Sequence, residues 1–239
     1  MLRKSTLVLM PLSLAALALT IVPAGAATIT TYTDPASWQN ASNILQTVAF
    51  EGLAPANGAT AYTGATGLTT GGVEFIGYSS SGSSWIQVID TNFSVYYNFG
   101  SNDALMQTMD RPTNTSPLPD MHVVLPAGVT AFGMDLFTVS PSALNFTVTV
   151  AGTPFTVPTN ARPTEAFWGV TSDTAIASVD LTLQGTTSNG GSVALIDNFQ
   201  YGSAQNMSQA PEATTFLLIG SGLIGIAILK KCLGRKGSA

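Results

Sequence analysis

The chain has 239 residues, only 9% of them charged, and a formal net charge of −5. Six of its eight basic residues (Arg3, Lys4, Lys230, Lys231, Arg235 and Lys236) lie at the two ends, leaving residues 27–210 with twelve acidic residues against Arg111 and Arg162 alone. A surface of that sign repels phosphate, which argues against nucleic acid as a partner, and it offers little to anionic lipid; unbalanced carboxylates instead keep a protein soluble or invite Ca²⁺.

Arg3 and Lys4 precede an apolar stretch over residues 7–22, and Ala24, Gly25 and Ala26 follow it. A basic start, an apolar core and small residues make a secretory signal, which is set aside from fold reasoning. Ala24 and Ala26 are the residues a signal peptidase reads, so cleavage is expected after Ala26, with Ala27 the first mature residue. The single cysteine, Cys232, lies near the other end. The exported region therefore has no disulfide and must be held by its core, and a domain of this size buries about 70% of its unfolded-chain surface.

Asp34 can cap a short helical turn over residues 34–40, with Pro35 suited to its first position. Strand signals follow one another: residues 47–51, 72–78, 84–89 and 94–99, then 121–125, 130–139 and 144–150, then 153–157, 166–170, 176–183 and 194–201. Several alternate with period two. Phe146, Val148 and Val150 face one way, and Asn145, Thr147 and Thr149 the other. Clusters of Gly, Pro, Asn and Ser at 58–72, 113–119 and 186–191 read as turns. About eleven short strands at this spacing, without an amphipathic helix, predict an all-β domain over residues 27–201, a two-sheet jelly-roll-like β-sandwich. Residues 202–210 read as a polar linker.

The tail has three parts in a fixed order: Pro211-Glu212, an apolar run over 216–229, and the basic end from Lys230 to Lys236. The run can enter a bilayer and the basic end stays on the cytoplasmic side. A helix over 216–229 spans roughly 21 Å, short of a hydrocarbon core of about 30 Å, which suits a transient anchor. This tail resembles the PEP-CTERM sorting tail of Gram-negative exported proteins, with Ala213 standing where the family has its second proline. The resemblance implies recognition at Pro211 and Glu212 by an exosortase-type membrane protease, transient inner-membrane anchoring, and delivery to the cell surface or the extracellular polymer. The stretches at 34–38, 131–136, 166–173 and 194–202 also resemble exported sandwiches of this kind. In related carbohydrate-binding jelly rolls the first and last strands often supply oxygen ligands to a structural Ca²⁺. The matching residues here are Glu51 and Asp197, with Asn198 beside the latter. The competing reading is that Asp197 and Asn198 form a bulge or turn with their own backbone bonds.

Catalytic inventory is thin. The one histidine, His122, lies in a strand run, and no GxSxG elbow accompanies it; a Ser-His-Asp set needs nucleophile and carboxylate within reach. With one His and the lone Cys in the tail, Zn and Cu lack their usual ligands, and no Gly-rich loop follows a strand into a helix. Glycoside hydrolysis needs only two carboxylates, so a polysaccharide-active hydrolase on the same sandwich stays open, as does a purely structural matrix role. Trp38, Trp85 and Trp168, with Tyr96 and Tyr97, are the aromatic candidates for sugar contact; sandwiches bury most such rings. The expectation is a non-catalytic surface or matrix protein that binds exopolysaccharide and requires no cofactor beyond that Ca²⁺.

Overall fold

Residues 27–78, 85–94, 99–100, 102–107, 119–184 and 194–205 are described by a computed structural model. The signal segment with Ala24 and Ala26, the Tyr96-Tyr97 pair, and the tail with Pro211, Glu212 and the expected helix over 216–229 lie outside the described residues. Among the described residues no helix is long and apolar enough to cross a membrane.

Period-two alternation and frequent turn residues give a chain of short strands: β1 (Ile29–Tyr32), helix α1 (Pro35–Asn40), β2 (Ser42–Val48), β3 (Ala59–Thr63), β4 (Leu68–Thr70), β5 (Val73–Gly77), β6 (Trp85–Asp90), β7 (Asp103–Gln107), β8 (Met121–Val124), β9 (Ala131–Thr138), β10 (Asn145–Val150), β11 (Thr153–Pro158), β12 (Ala166–Ser172), β13 (Ser178–Leu183) and β14 (Ala194–Ala204). They form a two-sheet jelly-roll-like sandwich. The larger sheet runs β1-β12-β9-β14-β7-β6-β3, with β2 also paired to β14; the smaller runs β11-β10-β13-β8-β5-β4. Every pairing is antiparallel. Pro154 and Pro158 sit on β11, an edge strand where a missing N–H costs no ladder bond.

The core fills the space between the sheets. Val88, Leu105, Phe132, Met134 and Ile196 come from the larger sheet, and Phe75, Val123, Phe146, Val148 and Leu181 from the smaller. Phe75 of β5 meets Phe199 of β14 edge to face at 5.5 Å, and Phe155 of β11 meets Trp168 of β12 at 5.9 Å, so rings interlock across the gap. Tyr201 ties the layers further: its hydroxyl lies 2.7 Å from the Gly71 carbonyl and 3.2 Å from Oε1 of Gln46.

The larger sheet is also covered on its outward face. Ile89, Met106, Phe137 and Leu195 form a second apolar cluster there, with Phe99 over Phe137 at 5.2 Å. Nearer the β1 edge, Asp34 caps α1 by accepting the Ser37 N–H at 2.7 Å, as its sequence position predicts. The helix lays Trp38 over Gly133 and Gly169, which pair across β9 and β12. Trp38 is fully buried and its Nε1 donates to the Val170 carbonyl at 3.0 Å. A Cβ on Gly169 would lie 2.8 Å from Cδ1 of Trp38, and one on Gly133 2.7 Å from the Phe167 ring, so only glycine lets the indole lie this close to the sheet.

Several expected boundaries are corrected. The strand expected at 47–51 is β2 and begins at Ser42; residues 51–52 form a turn. The turn cluster at 58–72 contains β3 and β4, because its Thr, Ala and Leu residues find ladder partners despite flanking glycines. β1 and β7 were not expected at all. The linker expected from 202 starts later: Gly202, Ser203 and Ala204 belong to β14 and pair with β2. Within the expected strand at 94–99, residues 95–98 lie outside the described residues.

Candidate functional site

Asp197 is fully buried in β14, on the face opposite the core residues that flank it. Glu51, its expected partner, is exposed in the turn after β2. Between Asp197 and Gln200 the register with β9 slips by one residue, and Asn198 takes φ +47. This is a β-bulge, with Asn at the left-handed position that a short amide tolerates best. Asp197 Oδ1 accepts the Asn198 N–H at 2.7 Å, while Asn198 Nδ2 donates to Oδ2 of Asp135 at 2.9 Å. The local bulge that sequence left open as the competing reading is therefore present.

Asp103 is a further buried acid that the sequence did not flag. Leu105 pairs with Ile196 between β7 and β14. Carried on by two residues, that register brings Asp103 level with the bulge, on the same face as Leu105 and so on the face opposite Asp197. Asp103 is 3% exposed, and its Oδ2 accepts the Gly52 N–H at 2.7 Å, holding the turn that carries Glu51. One edge of β14 is shared, with β7 along its first half and β2 along its second. The bulge lies where one partner gives way to the other. Among the described residues no group of three or more His, Cys, Asp or Glu side chains is arranged to hold a metal ion.

The tryptophans separate cleanly. Trp38 and Trp168 are buried, whereas Trp85 is 37% exposed at the start of β6. Ile86 and Val88 enter the core, so Trp85 and Gln87 point outward. Their register partners on the edge strand β3 are Thr63 and Ala61, both small and exposed, so among the described residues β3 does not shield the indole. Exposed Phe93 lies three residues beyond β6.

His122 lies on the outward face of the smaller sheet, where its Nδ1 and Oδ1 of Asp180 are 2.6 Å apart across the β8–β13 pairing. Such a pair is the base-and-orienter part of a nucleophilic triad. Its register neighbour on the other side is Ile76, which supplies no nucleophile.

No protein-family model and no curated protein matches this chain. Among solved structures it is similar to the CBM22-1 xylan-binding domain from Paenibacillus barcinonensis Xyn10C, at 19% identity over 68% of this chain and 95% of that one, with a TM-score of 0.30. It is also similar to a Clostridium perfringens ZmpB structure comprising the M60 catalytic domain with CBM51-1 and CBM51-2. There the identity is 14%, over 74% of this chain and 18% of that one, with a TM-score of 0.31. Overlap this loose transfers no site residue to the present chain.

Proposed function

We propose that this chain is an exported surface or matrix protein whose sandwich binds extracellular polysaccharide and performs no catalysis. The observation that carries the binding is Trp85: an indole held outward on a rigid strand, flanked by small residues, with the Gln87 amide on the same face. A flat apolar ring stacks on the C–H face of a pyranose, and a neighbouring amide hydrogen-bonds its hydroxyls. The acidic, lysine-free exported region supports a polymer partner other than nucleic acid.

The two ends supply the address. Signal peptidase removes the segment through Ala26, and the tail is handed to an exosortase-type protease that acts near Pro211 and Glu212. The short run over 216–229 holds the protein at the inner membrane only until that cut. Ca²⁺ is part of the same proposal. The residues that the resemblance offers for it are Glu51 and Asp197, whose hard carboxylate oxygens are of the kind Ca²⁺ takes. Its contribution would be to clamp β2 and β14 together.

Co-sedimentation of the protein with host exopolysaccharide tests the reading. Retention that Trp85→Ala lowers about tenfold is expected; no retention by the unsubstituted chain sinks it. Repeating the assay with EDTA tests the metal separately, since retention and melting temperature indifferent to EDTA remove Ca²⁺ and leave the binding. The rival hydrolase requires release of reducing ends from that polymer, and a chain that releases none counts against it.

A further inference from the structure

A cleft of about 310 Å³ opens at the β1 edge of the larger sheet, far from Trp85 in the strand order. Its walls follow from the alternation of β1. Ile29 turns toward the core, so Thr28, Thr30 and Tyr32 face outward, beside Thr171 and Asp173 at the end of β12. Gln205 closes the far side just after β14.

These walls are fixed by hydrogen bonds. Asp173 Oδ1 accepts the Thr28 N–H at 2.9 Å, and the Tyr32 hydroxyl lies 3.3 Å from Oγ1 of Thr171. The Gln205 N–H donates to the Ala41 carbonyl at 2.9 Å, and its side-chain amide to the Ser42 carbonyl at 3.3 Å. Thr130 Oγ1 accepts the Ala204 N–H at 2.8 Å. A ligand entering here meets groups already positioned, so little ordering entropy is lost on binding.

The lining has a definite chemistry. It offers hydroxyls that both donate and accept, one amide, one phenol ring and one carboxylate, and it contains no Lys, Arg or His. Hydroxyl-rich ligands match that set, and a sugar ring can lie against Tyr32 while its hydroxyls reach Asp173 and the threonines. An acidic sugar meets the Asp173 charge with no cation to offset it. The volume lies at the small end of ligand sites, which begin near about 300 Å³, enough for a short saccharide segment.

We infer that the cleft bounded by Tyr32, Thr171, Asp173 and Gln205 is a second saccharide site, selective for sugar units without an acidic group. This rests on the polysaccharide-binding reading above and adds a location and a selectivity that the Trp85 platform does not supply. Five strand spacings separate β1 from β6, about 24 Å, so substitutions at the two places act independently.

The test uses the full chain and host exopolysaccharide divided by anion exchange into neutral and acidic fractions. The unsubstituted chain is expected to be retained by the neutral fraction. Asp173→Ala should weaken that retention about tenfold or more, the loss of one charge-assisted hydrogen bond. Thr30→Trp, which obstructs the cleft without removing a wall, should do the same, with unchanged melting showing that both variants fold. Neutral-fraction retention that survives both cleft variants but falls in Trp85→Ala overturns the cleft and spares the proposed function. Equal retention of the acidic and neutral fractions by Trp85→Ala, which keeps only the cleft, overturns the selectivity. No retention by either fraction overturns the proposed function and this inference with it.

Discussion

Replacing Trp38 by alanine removes the only aromatic side chain that α1 contributes to the sandwich. The indole is fully buried, donates through Nε1 to the Val170 carbonyl at 3.0 Å, and packs against Phe167 with ring centroids 5.8 Å apart. Truncation of a buried tryptophan costs about 3–5 kcal/mol, because the site collapses only partly around the space left. The loss of the hydrogen bond is contained in that range. For a domain of this size each kcal/mol shifts the midpoint by about 2–4 °C, so the expected fall is roughly 6–20 °C. Urea unfolding followed by far-ultraviolet circular dichroism gives the free energy, and a thermal scan gives the midpoint. A companion substitution examines the cause. Gly169→Ala should cost about 1–3 kcal/mol by overpacking, since its methyl meets the indole. In a Trp38→Ala background most of that cost should vanish, and the double-mutant cycle measures the difference. A Gly169→Ala cost that is the same in both backgrounds would refute the argument that the indole is what requires glycine there.

Tyr201→Phe should destabilise the fold by about 1 kcal/mol in urea unfolding, since it removes the hydroxyl beside the Gly71 carbonyl and Gln46. Asn198→Val should cost more, about 1–3 kcal/mol, because a β-branched residue at φ +47 is strained and the hydrogen bond its amide donates to Asp135 is lost; Asn198→Gly should recover most of the backbone part, and an equal cost for both would count against the strain. Hydrogen bonds from the Ser37 side chain and backbone N–H hold the exposed Asp34 carboxyl below its ordinary pKa of 3.8. A carboxyl lowered on folding favours the folded state fully above 3.8, and that contribution is lost as pH falls through the lowered value. Acid titration of the melting temperature should therefore show a small loss below pH 3.8 that Asp34→Asn, which keeps the cap without the charge, does not show.

How much of this was readable beforehand depends on the range of the forces involved. The helix cap at Asp34-Pro35 and the alternation of β10 and β13 are local properties of a few residues, and each appears where the sequence places it. β7 escaped notice because the larger sheet is buried on both faces there. Its residues Ala104, Leu105 and Met106 are all fully buried, so no polar–apolar alternation marks the strand. β3 and β4 were read as turn because the glycines around them outweigh the strand preference of their Thr and Tyr residues, and only the ladder partners in β6 and β5 settle the pairing.

The candidate sites divide in the same way. Sequence alone determined that the stretch over residues 27–210 is acidic, lacks lysine and cysteine, and alternates as a β-protein must, because composition and period are properties of the chain itself. It also offered a bulge or turn at Asp197 and Asn198 beside the Ca²⁺ reading that the resemblance implies. Only the tertiary structure decided which tryptophan faces outward, since the period-two pattern around Trp85 and Gln87 is the same whichever side the core lies on. Only the tertiary structure joined Asp103 to the turn that carries Glu51, through the Gly52 N–H. The cleft at Tyr32 and Asp173 likewise depends on β1 pairing with β12, a contact across about 140 residues. No local preference encodes a pairing that distant; it forms because burying Ile29 against the shared core leaves β1 a single edge to join.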